Sequence, residues 1–236
     1  MPIRSKFLPL PLLLGLAGAV QATEECATVV QCNQVGSVAY QDGRHEQAIE
    51  AFERQLRRVE NGDTAQLELA LNNLILANLR AGQAGMARAW LGVALDNNLS
   101  GSSTRLHLRK VAEALDYPVL SASPVGRYLR YGGQAVWSEL QISEDGNGGY
   151  HASFSPVRAG ARVEEYGPAA IGELDGKLVG DGVQMRLEDA GLGRDCAVQL
   201  LREGIELRVQ EVFADGCQDY GGMGISVGGR YIKVSP

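Results

Sequence analysis

Apolar positions recur at helical spacing in the first half of this chain and at alternating spacing in the second. Cys32–Gln41 and Glu46–Val59 carry apolar residues every three to four positions, with Ala48, Phe52 and Leu56 on one face. Leu67–Leu79 and Met86–Leu95, joined by the turn Arg80–Gly85, repeat the arrangement, and Thr104–Leu115 reads as one more amphipathic helix. The two helix pairs are copies of each other. Gly36–Glu60 returns as Ile75–Leu99 with a spacing of 39 residues, so that Tyr40, Gly43, Ala48, Phe52 and Leu56 recur as Leu79, Gly82, Ala87, Leu91 and Leu95. A fixed period of this length marks stacked supersecondary units.

Beyond residue 120 the pattern changes. Short segments with partial alternation predict strands over Arg127–Tyr131, Ala135–Ser143, Tyr150–Phe154, Arg162–Tyr166, Ala170–Leu174, Val183–Glu188, Ala197–Leu201, Ile205–Phe213 and Arg230–Val234. Asp145–Gly149, Asp175-Gly176 and Arg202-Glu203-Gly204 supply turn chemistry between them. Only nine of the 30 glycines lie before residue 121, which places the boundary at Asp116–Pro124, where two prolines end the helical region. The expected fold is α+β and multidomain, a helical-hairpin array followed by an antiparallel β-barrel or sandwich. Its parts are a signal peptide over 1–22, a helical domain over 23–118, a linker over 119–125 and a β domain over 126–236.

The signal peptide rests on Arg4 and Lys6, the apolar run Phe7–Val20, and the small residues Val20 and Ala22 that favour cleavage before Thr23. The apolar run is about 14 residues, short of the ~20 a spanning helix needs. The protein is therefore expected to be periplasmic or secreted, without membrane insertion once the signal is removed. Loss of Arg4 and Lys6 takes the net charge from −6 to −8. That balance disfavours nucleic acid as a partner and favours, weakly, a cationic protein or peptide.

In an exported chain the four cysteines read first as disulfides, in the local pairs Cys26–Cys32 and Cys196–Cys217, although three connectivities exist. Neither pair has metal-ligand spacing to His45, His107 or His151, so no metal and no cofactor is expected. Gly224–Gly228 matches G-x-S-x-G, but no histidine or acid follows Ser226 and no helix is expected there. Glu164 and Glu165, on opposite faces of a strand, would not share a substrate atom. No catalytic residues are assigned. The densest remaining cluster is Asp215–Gly224, read either as a tight corner with Tyr220 packed inward or as a contact site formed by Asp219 and Tyr220.

Gly36-Ser37-Val38-Ala39-Tyr40-Gln41-Asp42-Gly43, then Ala48-Ile49-Glu50-Ala51-Phe52 and Gln55-Leu56, resembles a tetratricopeptide repeat. Leu71, Leu74, Leu79, Gly82, Ala87, Leu91, Ala94 and Leu95 carry the second copy, and Thr104–Leu115 resembles the family's capping helix. Asn78 and the missing closing prolines depart from the family pattern. The resemblance implies a groove for a protein or peptide, with Asn33, Ser37, Tyr40, Asn72, Ile75, Asn78 and Leu79 as candidate contacts. The cysteine followed by Tyr-Gly-Gly-Met-Gly and a closing strand resembles small β-modules at the ends of exported bacterial proteins. The expected function is non-enzymatic protein–protein interaction. The alternatives are an inhibitor of a cell-wall hydrolase such as lysozyme and a hydrolase acting on envelope polymers.

Overall fold

In the computed structural model, residues 26–188, 196–212 and 220–236 are described. Five helices come first: α1 Val29–Gln41, α2 His45–Val59, α3 Thr64–Arg80, α4 Ala84–Asp96 and α5 Ser102–Ala114. Thr28 caps α1 through a reciprocal pair with Gln31, and Asp63 caps α3 by accepting from the Gln66 N–H. The 39-residue repeat is visible in the turns. Gly43 and Gly82 adopt φ of 76° and 75°, and each turn closes with the same two backbone bonds, Gly43 to Tyr40 and Gly82 to Leu79 being the first. Packing runs α1 on α2, α2 on α3 and α3 on α4, with α5 across α3 and α4.

The strands are β1 Gly126–Tyr131, β2 Trp137–Glu144, β3 Tyr150–Ser155, β4 Val157–Arg158, β5 Ala170–Ile171, β6 Leu174–Gly180, β7 Gln184–Glu188, β8 Ala197–Glu203, β9 Glu206–Val212 and β10 Gly229–Ser235. Eight of them close an antiparallel barrel in the order β1-β10-β9-β8-β7-β6-β3-β2, and β4 pairs with β5 beside it. Alternate residues such as Leu140, Ile142, Phe154, Leu187, Leu200, Leu207 and Tyr231 fill its interior. The expected helices followed by an antiparallel barrel are present.

Three local expectations fail. Arg162–Tyr166 is no strand: Val163–Tyr166 forms the short helix α7, inside the excursion between β4 and β5 and ended by Gly167 at φ 76°. Glu164 and Glu165 therefore lie on a helical turn. Asp175-Gly176 is no turn but the middle of β6, where a Cβ on Gly176 would lie 2.6 Å from the Glu188 carbonyl oxygen. The glycine there serves close strand approach. Ala170–Leu174 is split between β5 and β6. Across the expected boundary between 118 and 119, Tyr117–Ser121 forms a further short helix, α6, and the residues at its end and after it are fixed to the barrel mouth. The Lys233 amine donates to the Ser123 carbonyl at 2.8 Å, Arg202 to Ser121 at 2.7 Å, and the Tyr128 hydroxyl to Pro124 at 2.7 Å. Burial, with Arg202 adding to it, lowers Lys233 to about 8.

The two lobes share one seam. Trp90 of α4 is fully buried against Tyr131 and Trp137 of the barrel, with ring centroids 5.7 and 4.7 Å away. Between β1 and β2, Gly133, Gln134 and Ala135 all take positive φ, and Ala135 is buried in the helical core. Left-handed backbone at non-glycine residues costs about 1–2 kcal/mol each. It is held by α2: Glu60 accepts from the Gln134 N–H and Arg57 Nε donates to the Gln134 carbonyl at 3.1 Å. This is why the expected strand from Ala135 begins instead at Trp137.

Glu53, also on α2, is pushed up to about 7 because burial outweighs the pull of Arg57, whose Nη2 lies 3.6 Å away. A raised folded-state pKa means the native state holds the proton more tightly than the unfolded chain does. The associated stability is complete below the ordinary carboxyl range and is lost as pH rises through about 7. Glu53→Gln should therefore be more stable than wild type at pH 8, by about 2 kcal/mol. The difference should vanish by pH 5 in urea titrations; a gap independent of pH would contradict it.

Candidate interaction site

The most organised polar cluster of the barrel lies where β9 ends. Leu207 and Val209 point inward, and Glu211 continues that row as an acid at the barrel's mouth. Its carboxylate accepts from the Tyr220 hydroxyl, the Ser226 hydroxyl at 3.1 Å and the Val227 N–H at 2.7 Å. Burial and the bond to Glu211 raise the Tyr220 pKa well above the usual phenol value, so the hydroxyl stays a donor. Arg130, stacked 5.5 Å from the Tyr231 ring centre, donates to the carbonyls of Ser226 and Gly228 at 2.6 Å each. Both ends of the segment 220–228 are thus tied to the barrel.

A second loop braces it. Gly172 and Gly221 form a β-bridge, Glu173 N–H donates to the Tyr220 carbonyl at 2.8 Å, and Gly222 N–H donates to the Ile171 carbonyl at 3.1 Å. The two backbones are in contact: a Cβ on Gly172 would lie 3.0 Å from the Gly221 Cα. At the apex Met223 is 90% exposed, and Ile171, whose carbonyl accepts from Gly222, is 66% exposed. Two large apolar side chains are therefore exposed on backbones joined by a hydrogen bond, and the fixed support reduces the ordering cost of binding.

The sequence-predicted residues fall differently. Tyr220 is partly buried and turned toward Glu211, as the inward reading of its loop expects; Asp219 lies outside the described residues. Met223 and Ile171 were missed. The available signal was an apolar residue stranded among glycines in Gly221-Gly222-Met223-Gly224. Ser226 meets Glu211, and β10 follows it rather than a helix. Cys26–Cys32 is a disulfide, and Cys196 is disulfide-bonded; Cys217 lies outside the described residues, as do residues 1–22.

Of the helical candidates, Asn72, Ile75 and Asn78 are buried, which removes them from any groove. Asn72 faces α5, where it meets Thr104 and His107, and Ile75 belongs to the helical core. Asn72 joins a chain in which Thr104 Oγ1 donates to Glu68 at 2.6 Å and His107 Nδ1 lies 2.9 Å from the Asn72 side-chain oxygen. Burial, then Lys110, lowers the His107 pKa, keeping the ring neutral inside the lobe. Asn78 donates to the Leu74 carbonyl at 2.8 Å. Asn33, Ser37, Tyr40 and Leu79 are partly buried: Asn33 accepts from Asn73, Ser37 donates to the Asn33 carbonyl, Tyr40 accepts from Arg80, and Leu79 packs on the core. No helix among the described residues is long and apolar enough to cross a membrane. Searches of protein-family models, curated proteins and solved structures return no match for this chain.

Proposed function

We propose that this chain is an exported, non-enzymatic protein-interaction module that engages its partner through the Met223–Ile171 tip. The helical lobe, read as a short tetratricopeptide-like array, then serves as a scaffold rather than a groove. One observation carries the reading: Met223 is held almost fully in solvent on a loop whose Tyr220 hydroxyl is locked by a carboxylate. An exposed apolar side chain on a preorganised loop suits insertion into an apolar pocket of another protein. The chain's net charge of −6 adds electrostatic steering toward a partner with a cationic rim.

The test is binding of mature protein to partners captured from envelope extract, followed by titration of the purified partner with Met223→Asp. The variant should lose at least about tenfold in affinity. Glu211→Gln should lose less, through a loosened Tyr220. Unchanged affinity in Met223→Asp would remove the tip from the interface. Inhibition of a muramidase by wild type and not by Met223→Asp would identify the partner as a cell-wall hydrolase.

A further inference from the structure

A second site lies between the helical lobe and the β4–β5 excursion, where Arg54, Arg57 and Arg58 of α2 line an open cleft of about 800 Å³ with Cys26, Val163 and Glu164. Arg58 is its centre. Three donors of its guanidinium go to backbone carbonyls: Nε to Ala27 at 3.1 Å, Nη2 to Cys26 at 2.9 Å and Nη1 to Arg54 at 2.7 Å. The two that remain form a fork on the Glu164 carboxylate, at 3.1 and 3.3 Å, and Arg57 Nη1 adds a third contact at 3.4 Å. Two of the three aiming carbonyls belong to the loop closed by the Cys26–Cys32 disulfide. The fork is therefore held by groups other than the carboxylate it binds. Removing that carboxylate would leave it aimed and empty.

Glu164 is a replaceable occupant. Its side chain is 40% exposed, it sits on the four-residue helix α7, and it fills only one corner of a cleft far larger than a carboxylate. Ion pairs exposed to this degree contribute about 1 kcal/mol or less. We propose that Arg58, aimed by the disulfide loop, and Arg57, held by the Gln134 carbonyl, form a carboxylate-binding site for an acidic peptide segment, with Glu164 as its resident intramolecular competitor. The site explains why a short disulfide is placed at the start of the helical lobe: it fixes the carbonyls that orient Arg58. Its volume of about 800 Å³ and its three arginines favour a peptide bearing several carboxylates over a single small acid.

The probe is a hexaglutamate peptide, titrated calorimetrically into the mature chain, with citrate and hexalysine in parallel. Glu164→Gln should bind hexaglutamate about fivefold more tightly than wild type, the factor set by the lost competitor. Arg57→Gln in the Glu164→Gln background should reverse the gain, and Cys26→Ser/Cys32→Ser should weaken binding while leaving the helical circular dichroism intact. Added salt should weaken it further. Equal affinities for wild type and Glu164→Gln, or no binding by Glu164→Gln at millimolar peptide, would overturn the proposal. Citrate binding as tightly as hexaglutamate would overturn the peptide as ligand. Met223→Asp should bind the peptide like wild type, so the arginine site and the tip stand or fall separately.

Discussion

Trp90→Ala will destabilise the protein by about 4 kcal/mol, which for a chain of this size is a fall of roughly 8–16 °C in melting temperature. Trp90 is fully buried, and its ring meets the edges of Tyr131 and Trp137, themselves 5.0 Å apart. Truncation leaves a cavity where two lobes meet, with walls from separate elements that cannot collapse together without shifting the barrel. The indole Nε1–H of Trp90 is buried without an acceptor among the described residues, and so is that of Trp137. An orphaned buried donor costs about 1–3 kcal/mol. Trp90→Phe removes the donor along with part of the ring, so its net loss should stay within about 1 kcal/mol. The chain has two tryptophans, and both lie in this seam. In Trp90→Ala the emission of Trp137 alone therefore reports whether water enters, and a red shift should accompany the lower melting point. Melting within 1 kcal/mol of wild type with unshifted emission would mean that the seam is not packed around Trp90.

The seam was not legible in the sequence, whereas the elements on either side of it were. Helical periodicity located α1 to α5, although α3 and α4 are buried on more than one face, and the repeat places Gly43 and Gly82 at equivalent turns. Barrel strands were legible where turn chemistry bounded them, as at Asp145–Gly149. They were misread where a charged segment leaves the sheet, as at Glu164, or where glycine serves strand approach, as at Gly176. The candidate groove failed for a tertiary reason: periodicity marks Asn72 and Asn78 as off the main apolar stripe but cannot say that α5 and neighbouring turns cover them. Met223 and the Arg58 fork are equally tertiary. One depends on Gly172 meeting Gly221 across the fold, the other on Glu164 arriving from a residue separation of 106. Local pattern marks Met223 only as an apolar residue among glycines and carries neither long-range contact.

Gly85→Ala and Gly92→Ala make the same chemical change two turns apart on α4, yet their effects should differ in sign. Alanine gains up to about 1 kcal/mol over glycine in a helix interior, an advantage that Gly92→Ala has in full and that Gly85→Ala, at the second residue of α4, has only in part. At Gly92 the added Cβ meets the tip of a side chain, 2.7 Å from Ile232 Cδ1, which can rotate away. Gly92→Ala should therefore lie within about 1 kcal/mol of wild type, on the stable side if Ile232 finds another rotamer. At Gly85 the Cβ would sit 2.6 Å from the carbonyl carbon of Val234 and 2.7 Å from its Cα, inside the space of the β10 backbone. No rotamer relieves that contact. The helix must move off the strand, and the move strains what the seam holds in register, including Arg88–Glu206 at 2.7 Å and the bonds from Arg230 to Asp96 and Glu206. Gly85→Ala should lose about 3 kcal/mol. Urea unfolding followed by tryptophan emission and by far-ultraviolet circular dichroism separates the outcomes. In Gly85→Ala the emission change, which reads the seam, should precede the loss of helix; in wild type and Gly92→Ala the two should coincide. Coincident transitions at the wild-type midpoint in Gly85→Ala would mean that α4 and β10 do not touch through this glycine. The docking of the two lobes would then rest on the aromatic cluster and on the polar bonds around it, such as Arg88–Glu206 and Arg57–Gln134.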